Sequence, residues 1–368
     1  MPRLPKQSIL YEDKLEIPEK YLRFSTPEVV AIYRANKLCL SDFVNTKIFP
    51  NGREGRNSER NQKIKLVEIG AGIGGQTFAF AKICKEILTI ESDKKSANFL
   101  IQNLKKLNIQ NVKVLVADAL SKSTVEEIKN FKPDVIFCDT ERPEKAERTL
   151  ENIKPSINKI LETFSKITSK IAIEIPPFTK IENFNYEFEK EFISINQQLN
   201  RLTLYFNKLK QNDISAVALP SEEKIVSDKN YKNISTKSSR YVYVIDPTII
   251  LANLVNELAE KFNSQIAELN KPVLLSDKII KSDFLTGFEI LTVCKNDEKE
   301  ILQNLKKFDA GKVILRYNIS PENYWKIRNF YEKQLNGNKE ISIFIDDKNN
   351  KAILSKKLNL SSLIKLSH

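Results

Sequence analysis

"LVEIGAGIGGQTFAFA", residues 66–81, places Gly70, Gly72, Gly74 and Gly75 within six positions of a 368-residue chain that has only nine glycines. The preceding "IKLVEI" is a short apolar run that predicts a strand, and "GQTFAFAKIC" predicts a helix. A sharp turn joins them. Glycine permits positive φ and has no Cβ, so a ligand can touch the backbone there. The helix N-terminus adds free N–H groups and partial positive charge.

The flanking acids narrow the ligand. Glu91 ends the next predicted strand, about 20 residues on, where a carboxylate can accept hydrogen bonds from ribose hydroxyls. A dinucleotide and S-adenosylmethionine both suit this layout. Glu68, just before the first glycine, favours the second: its charge can help hold a methionine ammonium and would repel a pyrophosphate. Asp118, in "VADA" at the end of a third strand, is placed to reach the adenine amino group. The cofactor-binding set is Glu68, Gly70, Ala71, Gly72, Gly74, Glu91 and Asp118, with Asp139 as a further candidate for the ammonium.

Working outward, strands and helices alternate: "EILTIES", "VKVLVADA", "DVIFCDT" and "KIAIEIPP" are strands with helical segments between them. That alternation predicts an α/β fold with a parallel sheet covered on both faces. Pro155 should break the helix that contains it. "EFISI", "RLTLYF" and "ISAVALP" predict closing strands, the last two as antiparallel neighbours. Residues 1–60 form a helical prefix, with a cap signal at Ser25-Thr26 and Pro27 at the first helical position. Residues 61–220 form the Rossmann-like domain, and the polar stretch 221–240 is a linker or exposed loop. Residues 241–368 form an α+β domain, in which "PTIILANLVNELAEKFNSQI" reads as one helix.

Composition excludes several chemistries. The single histidine is the last residue, so histidine general-base and Ser-His-Asp catalysis are effectively excluded. The cysteines Cys39, Cys84, Cys138 and Cys294 form no Cys-x-x-Cys pair; no metal is expected, and they read as buried residues of a reduced, cytoplasmic protein. No apolar run reaches membrane-spanning length, and the first residues lack a signal-peptide core. The net charge of +12 fits a polyanionic partner, although an AT-rich genome alone also enriches lysine.

With these residues in place, the chain resembles class I S-adenosylmethionine-dependent methyltransferases. "RFSTPEVVAIYRANKL", "EIGAGIGGQTFAFA", "CDTERPEKAERTLENIKPSI" and "IAIEIPP" together are similar to a prokaryotic family that carries a C-terminal THUMP-like domain and is related to trimethylguanosine synthases. The resemblance implies a seven-stranded methyltransferase core and, through the THUMP-like tail, an RNA substrate, most readily tRNA. The tail mixes Lys312, Arg316, Tyr317, Tyr324, Trp325, Lys326, Arg328, Tyr331 and Lys333, which could hold phosphates and stack on bases. Trp325 and Phe330 also fit the core face of an amphipathic helix.

In this fold the active site follows strand four. Amino-group methylases often carry Asp/Asn-Pro-Pro-aromatic there; this chain has "CDTERP", residues 138–143. Asp139 keeps the acid, whereas Thr140 and Glu141 replace the prolines, which puts guanine-amine chemistry in doubt. Asp139 and Glu141 are the candidate catalytic acceptors of an amine proton, and Arg142 a candidate phosphate contact. Cys138 alternates to the opposite face, which disfavours a cysteine-nucleophile route. "EIPPF", residues 174–178, carries the proline pattern after strand five and reads as a strand-terminating turn that could line the pocket. Phe24 or Thr26 could close over the cofactor. The leading expectation is an RNA methyltransferase, with an RNA-binding protein holding a non-catalytic cofactor site, or a methyltransferase of protein or small molecules, as alternatives.

Overall fold

A computed structural model describes residues 9–15, 21, 25–40, 64–140, 149–181, 184–227 and 239–359. The chain divides into two compact units, residues 1–193 with 199–222, and residues 194–198 with 223–368.

Helix α1 (Glu28–Cys39) opens the first unit. Strand and helix then alternate through β1 (Lys65–Ile69), α2 (Thr77–Ala81), β2 (Glu86–Glu91), α3 (Lys94–Lys106), β3 (Val112–Val116), α4 (Lys122–Phe131), β4 (Val135–Asp139), α5 (Ile157–Phe164) and β5 (Lys170–Ile175). They are followed by β6 (Phe188–Ile195), β7 (Gln198–Asn207), β8 (Ile214–Leu219) and β9 (Glu223–Val226). The sheet order is β3-β2-β1-β4-β5-β7-β6-β8-β9. β1 runs parallel to β2 and β4, β4 parallel to β5, and β7 antiparallel to β5. This is the Rossmann-like methyltransferase arrangement, with two strands added beyond the seven expected. β1, β2, β4 and β5 are buried nearly end to end, which is why they read as continuous apolar runs.

Local physics accounts for the departures from the sequence reading. β7 and β8 are not neighbours, because β6 lies between them. The β6–β7 link, Asn196-Gln197, has φ of 51° and 59°, the two left-handed residues of a tight hairpin. Pro27 caps α1 from outside, its carbonyl accepting the N–H groups of Val30 and Ala31 at 3.0 and 2.9 Å. Ser25 instead turns its hydroxyl back to the Tyr21 carbonyl at 3.0 Å. The break at Pro155 is as predicted, α5 starting only at Ile157.

α1 is fastened to the sheet by buried polar side chains as well as by its apolar face. Tyr33 and Tyr205 each donate to the Glu191 carboxylate at 2.9 Å, and Lys37 pairs with it at 2.6 Å. A buried acid of this kind is tolerated only when it is paired and hydrogen-bonded.

The second unit has β10 (Tyr241–Ile245), α6 (Pro247–Leu251), α7 (Val255–Lys261), β11 (Gln265–Leu269), β12 (Lys271–Ser276) and β13 (Leu285–Lys295). Then come α8 (Glu298–Lys307), β14 (Ala310–Leu315), α9 (Pro321–Glu332), β15 (Lys339–Asp346) and β16 (Lys351–Lys357). Its sheet order is β11-β12-β10-β13-β16-β15-β14. The single helix expected after Asp246-Pro247 is two short ones, parted at Asn253, whose φ of 57° ends the first. Trp325 and Phe330 are not core residues: they are 58% and 42% exposed. α9 docks through Tyr324, Ile327 and Tyr331, and the other two aromatics fall outside that stripe.

All four cysteines are free and buried. Among the described residues no helix is long and apolar enough to cross a membrane.

Candidate active site

A cavity of about 260 Å³ opens at the carboxyl ends of β1 and β4, where open α/β sheets bind ligands. Its floor is Glu68, Gly70, Ala71, Gly72 and Asp139, and Ser25 and Thr26 before α1 form part of its wall. Thr26 therefore serves the cavity and not the helix cap. Phe24, Glu141 and Arg142 lie outside the described residues.

The glycines are explained by space. Gly70 has φ +79°, and a Cβ there would lie 2.2 Å from the Asp139 carbonyl oxygen. Only glycine lets β1 turn so close beneath the end of β4. At Gly72, φ +55°, a Cβ would meet nothing within 4 Å, so a side chain would occupy open space in the cavity wall. At Gly75 a Cβ would come within 3.0 Å of the Thr26 backbone nitrogen, so this glycine admits the segment before α1.

Glu68 is buried under the loop and accepts a hydrogen bond from the Thr77 hydroxyl at 2.6 Å. Burial, helped by the charges of Asp139 and Glu91 and opposed by the Thr77 bond and Arg34, pushes its pKa up to about 8. The neutral acid therefore predominates below about pH 8 when no cation is present. A bound ammonium favours the carboxylate, so S-adenosylmethionine binding at neutral pH should release a proton. Between about pH 6 and 7.5, where an α-ammonium stays mostly charged, affinity should rise with pH by up to about tenfold per unit. Calorimetry in buffers of different ionisation enthalpy measures this directly. Glu68→Gln should abolish the slope, and a flat wild-type profile would refute the assignment.

Glu91 sits behind the loop. Its carboxylate accepts the Gly72 N–H at 2.7 Å and the Asp93 N–H at 2.8 Å, fixing the loop shape with oxygens expected to meet ribose. Asp118 is exposed, accepts the Leu120 N–H at 2.9 Å, and does not line the cavity. Gly74, φ +101°, packs toward Leu100 and Phe78, also away from the lining. Cys138 is fully buried, and burial raises its thiol pKa, so it offers no nucleophile to the cavity.

The sequence reading missed the cavity residues Tyr21, Ser25, Gln76 and Ser96. It also missed the charge that supports them. Arg34, on α1, is fully buried. It donates to Gln76 Oε1 at 2.9 Å, pairs with Glu174 on β5, and lies over the Phe137 ring at 4.7 Å. Arg201 holds the other oxygen of Glu174 at 2.8 Å. Burial works to lower the Arg34 pKa, but Glu174, with contributions from Tyr205 and Asp139, raises it above its usual value. The available signal was an arginine on the apolar stripe Val30, Ala31, Arg34, Ala35, Leu38.

Fold and cavity define the class: this is an S-adenosylmethionine-dependent class I methyltransferase. The open backbone cradle at Gly72 and the buried acid at Glu68 fit that cofactor. Residues 53–201 match the family model described as ribosomal RNA adenine dimethylase. A Wigglesworthia glossinidia brevipalpis protein named ribosomal RNA small subunit methyltransferase A is 24% identical over 264 residues, covering 71% of this chain and 80% of that protein. A Methanococcus vannielii protein assigned as a cobalt-precorrin-6B C(15)-methyltransferase is 28% identical over 125 residues, covering 34% of this chain and 63% of its own. A crystal structure from Porphyromonas gingivalis W83, assigned as a methyltransferase, superposes with a TM-score of 0.71 at 17% identity over 94% of this chain and 84% of its own. That likeness speaks to the fold. A tRNA substrate gains no support from these comparisons, and the THUMP-like relation is not shown by them.

Proposed function

We propose that this enzyme methylates an exocyclic amine of a base in ribosomal RNA, adenine being the first candidate. The observation that carries the reading is Asp139 on the floor of the glycine-loop cavity, in a domain that matches the ribosomal RNA adenine dimethylase model. The named ribosomal RNA methyltransferase above supports ribosomal over transfer RNA. The second unit, with its exposed Trp325 beside Arg328, supplies groups suited to RNA, in keeping with the THUMP-like resemblance.

S-adenosylmethionine supplies an electrophilic methyl group on a sulfonium. Glu68 would meet its ammonium, the backbone from Gly70 to Gly72 would cradle it, and Glu91 would hold that backbone in place from behind. Asp139 would accept a hydrogen bond from the amine, orient its lone pair and take up the proton that the amine loses. Alignment of this kind contributes several orders of magnitude without covalent catalysis. Thr140 and Glu141 in place of Pro-Pro make the geometry around the amine differ from that of the common amino-methylase motif.

The test is transfer from labelled S-adenosylmethionine to unmodified small-subunit RNA and particles of the source organism, followed by nucleoside analysis. A labelled base amine is expected, and Asp139→Ala should lower the rate about a hundredfold while cofactor binding persists. Label in tRNA alone, or in no RNA, refutes the ribosomal reading.

A further inference from the structure

Helix α3 follows the strand that carries Glu91, and its first-turn residue Ser96 lines the cavity. Its inner face is buried, with Leu100 and Leu104 in the core. Its outer face carries Lys94, Lys95, Asn98, Gln102, Lys105 and Lys106, all exposed. Helical spacing gathers these six into one stripe, about 18 Å long, that starts at the cavity. The stripe holds only ammonium and amide groups. No acid interrupts it: the sequence from Lys94 to Ala117 contains none, in a chain with 47. Lysines of the next elements have acids to meet, Lys113 pairing with Glu127 and Lys129 with Glu126, but α3 has no acid of its own.

The placement of these lysines works against the helix. A helix N-terminus carries partial positive charge, so cations in the first turn are unfavourable there. Helix α8 has the favourable arrangement, with Glu298 and Glu300 in its first turn and Lys306 and Lys307 in its last. Helix α3 has Lys94 and Lys95 in its first turn and no acid there. Asp93, the acid just before it, is the cap, engaged by the Ser96 N–H at 2.9 Å and hydroxyl at 2.7 Å. Local stability does not account for two lysines at this end, whereas a polyanion lying against the stripe does.

We propose that the outer face of α3 holds the phosphate backbone of the RNA substrate beside the cavity. The proposal rests on the RNA-base reading above. Charge complementarity selects the occupant. An acidic protein partner would need an apolar centre to its interface, and the stripe offers none. An anionic membrane would need an apolar face to insert, and that face of α3 is spent on the core. A phosphate backbone needs only cations in a row. Such contacts fix where the strand lies and leave the choice of base to the cavity.

The experiment measures affinity for unmodified small-subunit RNA as a function of salt, with methyl transfer and S-adenosylmethionine affinity in parallel. It compares wild type with Lys94→Gln/Lys95→Gln/Lys105→Gln. A control, Lys122→Gln/Lys159→Gln/Lys166→Gln, removes the same charge from other exposed positions of the domain. The α3 variant should bind RNA roughly ten- to hundredfold more weakly, with a salt slope smaller by about two to three. Its loss should appear in KM for RNA, while kcat and cofactor affinity match wild type. Its melting temperature should equal or exceed that of wild type, because the first turn has lost its cations. Unchanged affinity and slope in the α3 variant, or an equal loss in the control, overturns the surface and leaves the RNA reading standing. Binding of wild type to phosphatidylserine vesicles that the α3 variant loses, with RNA affinity unchanged, overturns RNA as the occupant. A wild-type enzyme that binds S-adenosylmethionine yet labels no RNA overturns that reading and the surface with it.

Discussion

Gly70→Ala is expected to abolish S-adenosylmethionine binding and to lower methyl transfer at least about a thousandfold. Two costs combine. The residue is at φ +79°, where an L side chain is strained by about 1–2 kcal/mol. The added Cβ would also lie 2.2 Å from a backbone oxygen of Asp139, and a backbone atom cannot swing aside as a side-chain tip can. β1 and β4 must separate at the point where both line the cavity, which displaces Glu68 and Asp139 together. Gly72→Ala is the informative companion. Its Cβ meets no protein atom within 4 Å, so the fold should survive with a small loss of stability. The new methyl would instead stand where the cofactor approaches the backbone, and binding should weaken about ten- to hundredfold. Titration calorimetry and thermal unfolding separate the two effects. A Gly70→Ala protein that binds within a fewfold of wild type would refute the close-approach account.

Arg34→Ala should destabilise the protein by about 3–5 kcal/mol in urea unfolding, because removing one partner of a buried ion pair leaves the other charge without full compensation. Glu174 would keep Arg201 but lose the guanidinium from α1, and Gln76 would lose its donor beside the cavity. Arg34→Lys should recover only part of the loss, since an ammonium cannot serve Gln76 and Glu174 in one plane while covering the Phe137 ring. Cofactor affinity should fall in both variants through Gln76, which lines the cavity. A change in stability below about 1 kcal/mol for Arg34→Ala would show that α1 is held by its apolar face and the Lys37–Glu191 contacts alone.

Much of the cavity was legible because it is local. Glu68, Gly70, Ala71 and Gly72 belong to one strand-turn-helix, and the physics of that turn is written in consecutive residues. Asp139 was legible through the strand count, which put it at the end of the central neighbour of β1. Asp118 was overreached for the same reason: a strand-end position places a backbone near the sheet edge, but its side chain turns to its own loop. Trp325 and Phe330 were misjudged because helical spacing alone does not say which of two adjoining stripes finds a partner.

The fold class and the glycine loop that lines the cavity follow from the sequence alone, since each depends on residue types at short separations. Tertiary structure alone decided what surrounds that site. The Arg34–Glu174 pair joins residues 140 positions apart, Thr26 meets Gly75 across the loop, and the pairing of β4 with β5 sets Glu174 opposite Asp139. No period or motif encodes such contacts, because the energy of a buried charge or an exposed ring depends on what the folded chain places around it.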